Sequence, residues 1–325
     1  MTHRNVLSSS ILLSLLFITA IWQISERQLS DLLGNLCYKL FKSSFTEQPT
    51  WDDKGIAMRY IPGIGKVYDV ELIARQASRG YDTHVDPIRL SWFMKGTDWL
   101  SAHLDSTAVI YQPYDYPPAQ DQAPWLSASA QSSATLAMLK RAGFERDKAL
   151  LAKGIMMLRK LEPTSGQFTL SQPDSSLWFV SHRADPYSLY GMISTLSDLN
   201  EIHSLLKDPI TNELYQKGMR SLTARLPQLA PRGYLHDNYL YQGRRSQHYR
   251  LSKMLSALSA TYPDPAFSAL VKDYARRQNS FVLWQLVQNP SLARWVSFFL
   301  SWLILALIIY LFLRRPVRNF TSEEG

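Results

Sequence analysis

The stretch LWFVSHRADPYSLYG, residues 177–191, sets His182 beside Arg183 between two aromatic runs. A histidine titrates near neutral pH and can act as a base, and a guanidinium can hold a carboxylate through two parallel hydrogen bonds. A second polar patch lies in YLHDNYLYQG, residues 234–243, with Tyr234, His236, Asp237, Tyr239 and Tyr241. Tyrosine rings suit the flat faces of sugars, and they pack equally readily against a helical core. Arg244 and Arg245 follow, and then His248 and Tyr249 at the opening of a helix. These are the side chains that could move protons or hold an anion; each also has a plain reading as a polar loop residue or as packing.

Other chemistries find less support. The seven histidines form no HExxH-type spacing, and Cys37 is the only cysteine, so neither a thiolate metal cluster nor an intramolecular disulfide is expected. No glycine-rich phosphate loop or nucleotide fingerprint is present, and no cofactor is expected. The formal charge of +8 comes from scattered Lys and Arg with no dense basic tract. That pattern argues against a nucleic-acid partner, while a polyanionic sugar or a membrane surface fits it.

The elements that must position these residues read mainly as helices. VYDVELIARQASRG (67–80) puts Val70, Ile73 and Ala74 on one stripe, with Gly80 as its stop. DPIRLSWFMKGTDWLSAHL (86–104) opens on Asp86-Pro87, a good N-cap and first helical residue, and Gly96 is its weak point. Residues 111–124 are a proline-rich loop. Residues 127–143 and 147–162 form a helical hairpin whose first helix ends at Gly143, and 165–180 reads as a short β-hairpin. Helices are expected over 186–206, 210–228, 246–262 and 264–287. Successive helical hairpins with long aromatic loops, and no strand–helix alternation, predict a mainly α chain: an incomplete (α/α) toroid or barrel with short β-hairpin insertions.

The two ends are apolar. Residues 6–22 carry no charge, and neither do residues 295–313, WVSFFLSWLILALIIYLFL. The second stretch is long enough to span a bilayer, and the first is expected to be a retained anchor. Arg4, Arg314, Arg315 and Arg318 flank their outer ends, which places both termini in the cytoplasm by the positive-inside rule. The expected layout is a cytoplasmic terminus (1–5), a transmembrane helix (6–24), an extracytoplasmic lead-in (25–65), a helical domain (66–292), a second transmembrane helix (293–313) and a cytoplasmic tail (314–325). In a diderm bacterium the main domain would be periplasmic, held at the inner membrane.

The order of blocks resembles the C-terminal helical domain of the D-glucuronyl C5-epimerase family over roughly residues 66–280. The blocks are VYDVELIARQASRGY with WFMKGTDWLSAHL, PWLSASAQSSATLAMLKRAG (124–143), LWFVSHRADPYSLYGMISTLSDLNE (177–201), and RGYLHDNYL followed by SQHYRLSKMLSALSATYPDPAFSALVKDY. The resemblance implies a toroid whose cleft takes a polysaccharide and inverts C5 of hexuronate units. That reaction needs one group to remove a weakly acidic proton, another to return one on the opposite face, and donors to stabilise the carboxylate.

Carried over residue by residue, the resemblance puts Tyr234 at the tyrosine of the family's tyrosine-aspartate block. Asp237 falls where an arginine is expected. His248 and Tyr249 stand in swapped order, with Ser252 at a second histidine. Val180 and Ser181 replace two glutamates, His182 replaces a tyrosine, and Tyr190 replaces the asparagine before Gly191. Trp125 and Gln131 match family positions. The implied catalytic set is His182, Tyr234, His248 and Tyr249; the implied substrate contacts are Gln131, Arg183, Tyr190, His236, Tyr239, Arg244 and Arg245.

Three readings follow: an active uronyl C5-epimerase, a non-catalytic relative that binds or guides a polysaccharide within a synthase or export assembly, and a structural membrane protein that docks partners.

Overall fold

The computed structural model describes residues 11, 14, 15, 18, 19, 50–61, 64–82, 86–116, 119–182, 186–229, 244–278 and 292–314; within this set, the side chains of 244–249, 277–278, 292–297, 300 and 312–314 are not described. The chain divides into two compact units, Gly34–Gln278 and the pairing of Met1–Leu33 with Asn279–Gly325.

The larger unit opens on an antiparallel meander, β1 (Thr50–Trp51), β2 (Ala57–Ile61) and β3 (Gly65–Val67), in the order β1-β2-β3. Asp52 fixes the first turn by accepting from the backbone N–H of Lys54 at 3.0 Å and of Ile56 at 2.6 Å. The expectation of an unpatterned lead-in to residue 65 is corrected here. The strands are two to five residues long, too short for alternation to register, although Ala57 and Ile61 of β2 do face inward.

Among the described residues eight α-helices follow in this unit: α1 (Val70–Asp82), α2 (Pro87–Ala102), α3 (Ala128–Glu145), α4 (Lys148–Arg159), α5 (Leu189–Leu206), α6 (Pro209–Leu229), α7 (Arg244–Thr261) and α8 (Pro265–Gln278). They pair as α1–α2, α3–α4, α5–α6 and α7–α8, while α1 packs on α3, α3 on α5 and α5 on α7. The odd-numbered helices therefore form an inner row and their hairpin partners an outer one, the arrangement of an arc of an (α/α) toroid. Between α4 and α5 lies the expected β-hairpin, β4 (Thr169–Ser171) against β5 (Leu177–Phe179), with Leu170 opposite Trp178.

Caps fix the helix starts. Asp86, Asp147 and Ser188 each accept from a backbone N–H in the first turn that follows, at 2.9, 2.8 and 3.1 Å, opening α2, α4 and α5. Three glycine readings change. Gly80 does not stop α1, which runs on to Asp82, and a Cβ at Gly80 would collide with the Arg89 carbonyl of α2. Gly96 is a contact point: a Cβ there would lie 2.9 Å from that of Ala77 on α1, so the missing side chain lets α2 approach. Gly143 does not end α3, which runs to Glu145 and turns at Arg146 with φ 58°.

The inner row is pinned by Lys140 of α3, whose buried ammonium lies 2.8 Å from Asp82 on α1 and 2.6 Å from Glu201 on α5. Among the described residues the apolar core of this unit has three parts, the smallest on Ile61, Val67, Tyr114, Tyr116 and Trp125. Of the two larger ones, one gathers on Trp178, Phe179, Phe168 and Met192, the other on Phe93, Ile73, Met138 and Met157. Complete burial of a side chain such as Phe179 contributes roughly 1.5–3 kcal/mol.

In the smaller unit, helix α9 (Leu292–Arg314) runs for 23 residues. Its Phe298 buries against Ile18, with Leu15, Trp302 and Leu305 packed around them. Leu303, Ile304, Leu307, Ile308 and Leu311 remain exposed. Among the described residues no helix is long and apolar enough to cross a membrane; the described side chains of α9 cover only 298–299 and 301–311.

Candidate functional site

Each inner helix turns a polar stripe toward its neighbours. On α1 the stripe is Glu71 and Arg75, four residues apart; on α5 it is Tyr190, Ser194 and Asp198, again at fourfold spacing; on α3 it is Ser129, Ser132 and Ser133. Residues four apart share one helix face, so each helix delivers its groups to one place.

Glu71 is the hub. Its Oε1 accepts from Arg75 Nε at 2.8 Å, from the Tyr190 hydroxyl at 2.7 Å and from Ser194 Oγ at 3.1 Å. Its Oε2 accepts from Ser129 Oγ at 2.9 Å. Arg75 Nη2 donates to Ser194 Oγ at 2.8 Å and lies 3.5 Å from Asp198 Oδ2, which also accepts from Ser132 at 2.8 Å and Ser133 at 2.6 Å. The fourth inner helix adds Arg250, which donates to the Tyr190 hydroxyl at 2.9 Å and lies over its ring at 4.6 Å.

Burial and charge oppose one another across this network. Burial raises the Glu71 carboxyl, but Arg75 and Arg59, with the hydrogen bonds from Arg75 and Tyr190, prevail and hold it at about 2. Asp198 goes the other way: burial pushes it up, and Arg75 with the two serine hydroxyls only partly restrains it. Burial also works against the Arg75 charge, yet Asp198 and Glu71 raise its pKa further still. The Arg75 side chain stays 28% accessible within this network.

Arg59 of β2, whose charge helps hold the Glu71 carboxyl down, lies 3.4 Å from the buried Asp69. Asp69 accepts from the Tyr114 hydroxyl and from the backbone N–H of Leu72. Burial and the Asp69 charge raise the Tyr114 phenol well above its ordinary value, so Tyr114 is a fixed hydrogen-bond donor.

His182 occupies an aromatic box beside this network. Its Nδ1 lies 2.8 Å from Asp121 Oδ2, and its ring stacks on Tyr116 at 5.3 Å and an angle of 13°, with Trp125 at 5.4 Å. Only 12% of the His182 side chain is accessible. The preceding Ser181 touches Ser129 Oγ at 3.5 Å, one hydroxyl away from Glu71. Gly191 allows this approach, because a Cβ there would collide with Ser181.

Among the residues singled out from the sequence, Tyr190 is brought into the network. Gln131 is not a substrate contact: it is fully buried, its carbonyl accepts from Ile110 N at 3.1 Å, and its amide donates to Ala108 O and Met157 O at 3.0 and 3.1 Å. Those bonds satisfy a buried amide and tie the segment after α2, at Ala108 and Ile110, to the α3–α4 hairpin. Trp125 is likewise structural, nearly buried and donating to Tyr114 O at 2.7 Å.

Arg244, Arg245, His248 and Tyr249 lie in the first two turns of α7, which begins before both arginines rather than after them. Their side chains lie outside the described residues, as do Arg183, Tyr234, His236, Asp237, Tyr239 and Tyr241 entirely. The network residues that the sequence reading passed over are Glu71, Arg75, Asp198, Arg59 and Arg250. Charged or hydroxyl residues at fourfold spacing on otherwise buried helices were the available signal. Among the described residues no three His, Cys, Asp or Glu side chains converge as a metal site would require.

No family model and no curated protein matches the chain. Solved structures do. A cellobiose 2-epimerase from Bacillus thermoamylovorans aligns at 10% identity and a TM-score of 0.46, over 64% of this chain and 58% of that one. A GH76 alpha-mannanase from Bacteroides thetaiotaomicron aligns at 15% identity and a TM-score of 0.44, over 82% of this chain and 71% of that one. The chain thus spans little more than half the length of the epimerase it matches.

Proposed function

We propose that the helical domain is a C5-epimerase-like protein of exopolysaccharide synthesis, modification or export, holding a uronate-bearing chain in the concavity between its inner helices. The observation that carries this reading is the Tyr190 hydroxyl, fixed between Glu71 at 2.7 Å and Arg250 at 2.9 Å. Glu71 and Asp198 are already engaged by donors from within the protein. The partly exposed guanidiniums of Arg250 and Arg59 stand beside this network, and a guanidinium can grip a carboxylate through two hydrogen bonds. The block resemblance to uronyl epimerases supplies the choice of a uronate.

Within this site Glu71 is a positioning group rather than a base. A carboxylate held at about 2 is a poor acceptor for the proton of a phenol, whose reference value is about 10. The Asp121–His182 pair favours a second reading, in which the chain is also turned over chemically. A carboxylate on Nδ1 sets the tautomer and orientation of an imidazole that works as a base through Nε2. The returning proton would then come from the opposite wall, where the resemblance puts Tyr234, His248 and Tyr249.

Membrane anchoring through both ends belongs to the same proposal. It is supported by the uncharged stretch 295–313, by the exposed apolar side chains of α9 and by the packing of Ile18 on Phe298. The main domain would then work outside the cytoplasm, within a synthase or export assembly.

The test is incubation of the purified protein with uronate polysaccharides in deuterated water, read by NMR at C5. Exchange that disappears in His182→Ala establishes epimerisation. Retained binding without exchange leaves the chain-holding role alone, and loss of both overturns the proposal.

A further inference from the structure

Away from the concavity, α2 carries two ring stacks on one face. Trp92 stacks on Trp51 of β1 at 4.7 Å and 23°. Trp99 stacks on His103 at 3.8 Å and 15°, and the Tyr68 ring packs beside it at 5.6 Å. Both tryptophans are half-buried and His103 is exposed, so each stack keeps part of its ring surface accessible.

The rings are held before any ligand arrives. His103 Nδ1 lies 2.7 Å from Trp99 O, and the Tyr68 hydroxyl donates to Asp52 at 2.9 Å. Fixed aromatic faces lose little entropy when they bind. Seven residues separate Trp92 from Trp99, so the stacks stand about 10 Å apart along the helix. That interval is comparable to one disaccharide unit of an extended pyranose chain.

We infer that this face of α2 is a second glycan-binding surface, on which alternate pyranose rings of an extended chain lie against the two stacks. The inference rests on the carbohydrate reading of the concavity. It adds that the polymer is held at two places, so that affinity grows with chain length. The neighbouring charges are mixed, with Lys95 exposed between the stacks and Lys54, Asp53 and Asp98 close by in sequence. Asp98 is 70% exposed. Its carboxylate pairs with Arg141 at 3.4 Å, and a face of mixed charge serves hydroxyl hydrogen bonding better than it matches an anionic bilayer.

The experiment compares the full chain in detergent with Trp92→Leu/Trp99→Leu, which keeps apolar bulk but removes the flat faces, and with Arg250→Ala in the concavity. Binding is measured to disaccharides and to long chains of β-1,4-glucan, mannan and glucuronan, and to phosphatidylglycerol vesicles. The expected result is about tenfold weaker binding of long chains by the leucine variant, with disaccharide binding unchanged. Equal binding of long chains with and without the tryptophans overturns the platform and leaves the concavity reading standing. Loss of vesicle binding in place of glycan binding assigns the face to lipid and overturns it. A wild-type chain that binds none of these glycans overturns both readings together.

Discussion

At the scale of single residues, the site is governed by how four inner helices neutralise the charges they bury. Arg75 stays ionised beside Asp198 and Glu71, and Glu71 beside Arg75 and Arg59, so removing Glu71 takes away one of the two carboxylates that face a desolvated guanidinium. Glu71→Gln should therefore lower stability at neutral pH by about 3 kcal/mol, read from urea unfolding. The sign of its pH dependence follows from the depressed carboxyl. The Glu71 contribution is complete above the ordinary value of 4.5 and is lost as pH falls toward about 2. The wild-type chain should lose stability across that window, and Glu71→Gln should flatten the slope; an unchanged slope would show that Glu71 is not held as described.

Asp198 has the opposite sign. Its raised carboxyl favours the fold at low pH and loses that contribution as pH rises through the raised value. Asp198→Asn should accordingly cost less at neutral pH than Glu71→Gln, compared by the same unfolding measurement. Little of this was legible from the sequence. In the sequence Val70, Ile73 and Ala74 mark the stripe of α1, and nothing local beyond their fourfold spacing singles out Glu71 or Arg75. In the fold, α1 is covered on several sides, and its second face meets polar stripes from helices more than fifty residues away. Only the fold reveals such partners.

At the scale of elements, hairpin order, most helix positions and the β4–β5 hairpin were legible, because caps and periodicity are local. Asp86, with its proline, shows how a cap can be recognised within a few residues, whereas the helix expected from residue 186 opens only after the Ser188 cap. The glycines were misread because their meaning depends on what lies across the interface. Gly96→Ala should destabilise by about 1–3 kcal/mol, since the new methyl meets Ala77. Gly143→Ala, exposed within α3 with open space around it, should stabilise by about 0.5–1 kcal/mol. Thermal melts of the two variants should move in opposite directions; a shared direction would refute the helix-contact assignment.

At the scale of the whole molecule, the proposal is a glycan-holding domain fixed to a membrane by its ends. The full chain should stay in the membrane pellet through alkaline carbonate extraction, and recovery in the supernatant would contradict anchoring. The central claim is that the concavity grips a uronate through Arg250 beside Tyr190 and Glu71. Its most direct test is the affinity of the wild-type chain and of Arg250→Ala for short glucuronan and β-1,4-glucan oligosaccharides, measured by calorimetry at two salt concentrations. A charge-assisted contact of this kind predicts glucuronan binding about 10–100-fold weaker in the variant, a reduced salt dependence and no change toward the neutral glucan. Equal affinity of the two proteins for glucuronan would contradict the claim.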